Sequence, residues 1–149
     1  MKEYSIEDIS RVQRPTLGSD VPLFLFRILR IIGMRKILGE TSSATLYMMG
    51  KQVGKMFEAS DIEGFKEVVR ELKLGIPEVE ILDEDTVLVR LYECITCAGF
   101  PFTGEIFCDM ESGIIAGILE NVFRKRAKST QRKSWSTGFN YCEFEVVLF

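Results

Sequence analysis

At Pro77 the hydrophobic pattern of this chain switches from the spacing of helices to a period of two, and the switch constrains the fold more than any other feature of the sequence. Val79 and Ile81, then Val87, Val89 and Leu91, alternate with polar partners on either side of Asp83-Glu84-Asp85, the pattern of a β-hairpin. The helical spacing returns from about Glu105 to Phe123. Two further strands, Ala127 to Trp135 and Tyr141 to Leu148, then flank a turn whose Gly138 can take a positive φ. Three helices, a hairpin, a helix and a second hairpin predict an α+β domain: a four-stranded antiparallel sheet made of two hairpins, packed against about four helices. With 149 residues, 46% of them hydrophobic, the chain suits a single domain over 1–149 in which residues 1–18 form a polar leader. No repeat or linker divides it.

Each helix has its own signals. Asp20 can cap the first, whose opening turn contains Pro22, and Leu23, Phe24, Phe26, Ile28, Leu29, Ile31 and Ile32 leave only Arg27 and Arg30 as a polar face. That composition predicts a helix largely buried on several sides and ended or kinked at Gly33. Thr41, Ser42 or Ser43 caps a second helix running to about Ala59, in which Gly50 and Gly54, four apart, read as a close contact with a neighbour. Ser60 or Asp61 caps a third from Ile62 to Leu74, with Phe65, Val68, Val69 and Leu72 on one stripe and Gly75 at its end. Gly113, Ala116 and Gly117 give the fourth helix a flat face for close packing.

The chain contains no histidine, which removes Ser-His-Asp and Cys-His nucleophile activation, histidine metal ligands and the commonest general base. It also lacks the G-x-G-x-x-G turn of a dinucleotide fold and any Walker loop, so catalysis has little support. Glu105, Asp109, Glu111 and Glu120 have the spacing of a solvated helix surface. The net charge of −3 gives no global bias toward nucleic acid, and the basic run Arg124, Lys125, Arg126, Lys128, Arg132, Lys133 reads as a solvated edge strand rather than a phosphate-binding face. The N-terminus has no secretory signal, and Val21 to Ile32 is too short and too charged to span a bilayer. The expectation is a soluble, cytoplasmic protein whose four cysteines are reduced thiols or metal ligands. Two thiolates of Cys94-x-x-Cys97 can grip one tetrahedral ion such as zinc, with Cys108 and Cys142 completing a four-cysteine shell. The alternative is that the cysteines pack as small buried hydrophobes. Phe100, Phe102, Phe107, Trp135, Phe139 and Tyr141 can line a pocket for an aromatic or acyl group, though ordinary core packing explains each equally well.

Three stretches, taken together, resemble the 4-vinyl reductase domain family. They are Arg14-Pro15-Thr16-Leu17-Gly18 leading into Val21-Pro22-Leu23; Cys94-Ile95-Thr96-Cys97-Ala98-Gly99 through Cys108 and Gly113-Ile114-Ile115-Ala116-Gly117; and Gly138-Phe139-Asn140-Tyr141-Cys142-Glu143-Phe144. The similarity covers nearly the whole chain. It implies a fold related to the Bet-type subunits of the TRAPP vesicle-tethering complex and to the sensor domains of phenol-responsive activators, with a buried apolar cavity and usually a dimer. The ATPase and DNA-binding domains attached to those sensors have no counterpart in this sequence. In the phenol-sensor branch a structural zinc is held at positions that match Cys108, Gln131, Ser134 and Cys142, so two of the four inherited ligands are replaced here, and the site reads as lost unless Cys94 and Cys97 rebuild it. That branch also bonds its ligand through a histidine, so phenol specificity is not carried over. The expectation is a small-molecule-binding regulatory or carrier domain, a homodimer with its cavity beneath the Ala98 to Gly104 loop. A partner-binding subunit is the alternative, and a thiol or reductase enzyme the third.

Overall fold

The computed structural model describes residues 1–149. Its sheet consists of β1 (Ile76–Ile81), β2 (Thr86–Tyr92), β3 (Ala127–Lys133) and β4 (Cys142–Leu148), in the order β1-β2-β4-β3 with every neighbouring pair antiparallel. The two expected hairpins are present and join through β2 and β4. Strand alternation sends Val87, Val89 and Leu91 of β2, and Phe144, Val146 and Leu148 of β4, into the core. The outer face instead carries a charge lattice: in register, Glu78 lies opposite Arg90 and Arg90 opposite Glu143, with Arg90 within 3.1 Å of Glu78 and 3.0 Å of Glu143. One face buried and one solvated is the usual arrangement of an antiparallel sheet.

Helices cover the inner face. α6 (Asp109–Phe123) contributes Ile115, Ala116, Ile118 and Leu119, all buried, and α5 (Ile62–Glu71) adds Phe65 and Val69. Asp61 caps α5 by accepting the Gly64 N–H at 2.7 Å. α4 (Ser42–Lys55) lies on α6, and both helices meet at glycines. A Cβ on Gly50 would stand 2.1 Å from the Met110 carbonyl oxygen, and one on Gly54 would stand 2.3 Å from that of Ile114. In return, Cβ atoms on Gly113 and Gly117 would stand 2.1 and 2.3 Å from the carbonyl oxygens of Tyr47 and Lys51. The glycine spacing read as close packing is thus a backbone-to-backbone seam between α4 and α6.

The leader carries one short turn of helix, α1 (Ile6–Ile9), closed by a reciprocal bond between Ser5 and Asp8. After it, α2 (Leu23–Arg27), a π-helical stretch (Ile28–Gly33) and α3 (Met34–Leu38) form one continuous arm that ends where Gly39 takes φ 56°. Pro22, not Asp20, occupies the position before α2.

The arm corrects the expectation of burial. Phe24 is 66% exposed and Leu29 60%, with Leu23, Leu25, Ile28 and Ile32 also in solvent, whereas Arg30 is only 4% exposed. The arm is turned over so that Arg27 and Arg30 lie on main-chain carbonyls of the body, which a guanidinium with five donors can bond and an aliphatic side chain cannot. Other boundaries move for local reasons. α4 stops at Lys55 rather than Ala59, and α5 stops at Glu71 rather than Leu74. α6 begins at Asp109 rather than Glu105. A register break between Gln131 and Lys133 ends β3 early, so Trp135 belongs to a 3₁₀ turn (Trp135–Thr137) capped by Ser134 rather than to the strand. No helix is long and apolar enough to cross a membrane.

Candidate metal centre

Four chain segments deliver the cysteines to one point. Cys94 and Cys97 sit on the turn that follows β2, Cys108 immediately precedes α6, and Cys142 opens β4. All four are fully buried. Their sulfurs all lie within 4.8 Å of one another: Cys97 and Cys142 at 3.0 Å, Cys94 and Cys108 at 3.9 Å, Cys108 and Cys142 at 4.0 Å. A tetrahedral ion with metal–sulfur bonds of about 2.3 Å would set its sulfurs about 3.8 Å apart. The cluster therefore has the dimensions of a shell around one ion, and is too tight for the terminal thiolates of a polynuclear cluster. No disulfide links them.

The sulfurs divide in character. Hydrogen bonds from Cys108, then Cys142 and Cys94, hold the Cys97 thiol far below its ordinary range, against the effect of burial. The Cys108 thiol is pushed well up by its bonding with Cys142, Cys94 and Cys97 and by burial. A divalent ion bound by these thiols would displace their protons.

Gln131 and Ser134, the positions that the resemblance matches to zinc ligands, stand at the centre in another role. Gln131 accepts the Cys108 N–H through Oε1 at 3.1 Å and donates through Nε2 to the Lys133 carbonyl at 3.1 Å, which pins the bulge at the end of β3. Ser134 directs its hydroxyl at the Cys97 sulfur at 3.7 Å. Neither is a metal ligand type here, yet both orient residues that are.

A buried polar group adjoins the cysteines. Glu111, expected on a solvated surface, is fully buried; it accepts the Thr96 hydroxyl and lies 3.8 Å from Arg30. Burial raises its carboxyl above the ordinary range, although Arg30 opposes the shift. The spacing that suggested exposure missed it, because α6 is surrounded by protein over its first turns and offers no solvent face there. Arg27 and Arg30, noticed in the sequence only as the arm's polar residues, are the other missed participants. Arg27 donates to the carbonyls of Ile95 at 2.8 Å, Ala98 at 3.0 Å and Cys94 at 3.4 Å; Arg30 donates to that of Phe107 at 2.6 Å.

The six aromatic candidates fall into separate groups. Phe107 is buried and meets Phe100 edge to face, with ring centroids 4.8 Å apart. Phe139 and Tyr141 meet at a tilt, with ring centroids 5.9 Å apart, beneath the Lys133 ammonium, and Tyr92 extends that group. Phe102 is 74% exposed beside Gly138, and Trp135 packs against the core with an indole N–H that has no protein partner. A concavity of about 700 Å³ opens elsewhere, lined mainly by polar residues such as Lys55, Glu58, Asn121 and Arg124 at the ends of α4 and α6. The basic run is dispersed and partly paired, Arg132 with Glu145 and Lys125 with Asp85.

The family model of the 4-vinyl reductase domain matches residues 87–148, the stretch from β2 to β4 that contains all four cysteines. The uncharacterized protein MJ1642 of Methanocaldococcus jannaschii is 35% identical over 132 residues, covering 89% of this chain and 81% of the relative. Among solved structures, a vinyl-4-reductase family protein from Methanocaldococcus jannaschii superposes with a TM-score of 0.72 at 25% identity, over 89% of this chain and 85% of that one. The fold is shared with two more distant structures. The trafficking protein particle complex subunit 3 of Naegleria fowleri, covalently bound to palmitic acid, has a TM-score of 0.62 at 15% identity over 85% of this chain and 95% of that one. The phenol-responsive sensory domain of the transcription activator PoxR, with phenol, has a TM-score of 0.67 at 12% identity over 86% of this chain and 75% of that one.

Proposed function

Because this chain belongs to the 4-vinyl reductase domain family, we propose that it is a regulatory or carrier module for an apolar aromatic or acyl molecule, braced by one zinc ion on Cys94, Cys97, Cys108 and Cys142. The observation that carries the reading is the convergence of four buried thiols within 4.8 Å at the junction of arm, loop and sheet. Bound there, zinc supplies a redox-inert tetrahedral cross-link that stabilises the fold. The chain's own residues do the rest: Gln131 holds the Cys108 amide and Ser134 directs its hydroxyl at the Cys97 sulfur, so both orient the thiols.

The apolar side chains of the arm supply the receiving surface. Phe24, Leu25, Ile28, Leu29 and Ile32 stand in solvent next to the loop that carries Phe100 and Phe107, and burying them at roughly 25 cal/mol per Å² favours either an apolar ligand or a second copy of the chain. The structural relatives that hold phenol or palmitic acid on this fold support the first reading. The exposed arm itself favours the second, a homodimer or partner-binding subunit. Native mass spectrometry of protein purified without chelator separates them: one zinc per chain with a retained small molecule supports the module, and a metal-free, ligand-free chain refutes it. Thermal stabilisation by phenols or fatty acids then assigns the ligand class, while a dimer that gains nothing from them favours the interaction subunit.

A further inference from the structure

Arg27 and Arg30 connect two features that are otherwise separate, the apolar arm and the cysteine centre. All three carbonyls bonded by Arg27 belong to Cys94, Ile95 and Ala98, the turn that holds two of the four thiols. Arg30 bonds the carbonyl of Phe107, the residue before the third thiol. It also lies 3.8 Å from Glu111, which in turn takes the hydroxyl of Thr96 between the first two cysteines. One guanidinium thus grips each of the two segments carrying Cys94, Cys97 and Cys108. Meanwhile most of the arm's aliphatic and aromatic side chains point to solvent, so polar bonds do much of the holding. That hold is incomplete, because Arg30 Nε and Glu111 Oε2 have no hydrogen-bond partner. An arm docked by a few directional bonds, two atoms short of satisfaction, follows the geometry of what it is docked to.

We infer that Arg27 and Arg30 are positioning residues that make the apolar arm the reporter of metal occupancy at the cysteine centre: filling it fixes the 94–98 turn and the carbonyl of Phe107 and docks the arm, and emptying it releases the arm. The inference rests on the proposed zinc site. Coupling of this kind is reciprocal, so the arm must tighten metal binding by the factor by which metal tightens the arm.

The test uses the full chain with zinc as the probe. Amide hydrogen exchange over residues 23–38 is measured with and without zinc, and zinc affinity is read by competition with a chromophoric chelator. In the wild type, zinc slows exchange across the arm. In Arg27→Lys, which keeps the charge but loses the three-carbonyl fork, and in Arg27→Ala, zinc affinity falls by about tenfold, at the lower end for residues that orient metal ligands, and the arm no longer responds to zinc. Arg35→Ala, which removes only the exposed bond from the same arm to Glu105, leaves both readouts unchanged. Tight zinc binding by the wild type with arm exchange unchanged overturns the coupling alone. Failure of the wild type to bind zinc overturns the metal reading, and the coupling with it.

Discussion

Replacing Gly113 by alanine sets two well-calibrated effects against each other. In an exposed helix the exchange gains about 1 kcal/mol, because glycine surrenders more backbone freedom. At this position the new methyl would stand 2.1 Å from the Tyr47 carbonyl oxygen and 2.8 Å from the Lys51 nitrogen, the first more than an ångström inside the 3.4 Å at which ordinary contact begins. Both obstacles are backbone of α4, so no side chain can rotate away; the helices must separate, and the contacts at Gly50, Gly54 and Gly117 open with them. Overpacking costs about 1–3 kcal/mol, and a clash with main chain belongs at the upper end, which leaves a net loss of about 2 kcal/mol after the propensity gain. For a domain of this size that lowers Tm by about 4–8 °C, readable by circular dichroism. Gly33→Ala is the control. There the methyl would meet only the Ile28 carbonyl oxygen at an ordinary 3.7 Å, and the propensity term should act alone. A Gly113→Ala protein as stable as the wild type, or more so, would refute the seam.

If zinc occupies the centre, a strong chelator will lower Tm, and Cys97→Ser will abolish both the bound metal and the chelator's effect, as read by mass spectrometry and thermal unfolding. Gln131→Ala, which frees the Cys108 N–H, should weaken zinc binding about 10–100-fold in a chelator competition without changing one ion per chain. Burial opposes ionisation of Glu120, but Lys51 at 2.8 Å, the Ala127 N–H at 3.0 Å and Lys55 at 3.1 Å more than offset it and hold the carboxyl below its ordinary 4.5. Its contribution is therefore complete above pH 4.5 and lost as pH falls through the lower folded value. Glu120→Gln should cost about 1–2 kcal/mol at pH 7 by denaturant unfolding, a difference that shrinks once the pH drops below the ordinary carboxylate value; one constant across that range would contradict the ion cluster.

The sheet was legible because a period of two leaves few choices: the alternation at Val87-Val89-Leu91 fixes which face is buried whatever lies above it. The glycine seam was legible for a related reason, since a helix carrying Gly50 and Gly54 loses stability unless a neighbour uses the space. The arm was not. Hydrophobic patterning assumes that apolar residues mark the inner face, and here two arginines hold that place because they meet main-chain carbonyls whose positions no local pattern reveals. Glu111 escaped for the same reason, its environment being set by Arg30 and Thr96 on distant segments.

The cysteine centre lies between these extremes, and the resemblance explains its position. The resemblance implies that two zinc ligands of the phenol-sensor branch match Gln131 and Ser134, which stand at the end of β3 and just beyond it. A metal held by Cys94 and Cys97 instead would be gripped from the turn after β2, while Gln131 and Ser134 contact the Cys108 amide and the Cys97 sulfur. The ion's cross-link would then join that turn to Cys108 and Cys142, so it would stiffen the segment on which Arg27 closes. A metal held this way braces the seat of the arm rather than an edge strand. With a metal bound, the same four thiols would bear on both the stability of the domain and the disposition of its apolar surface.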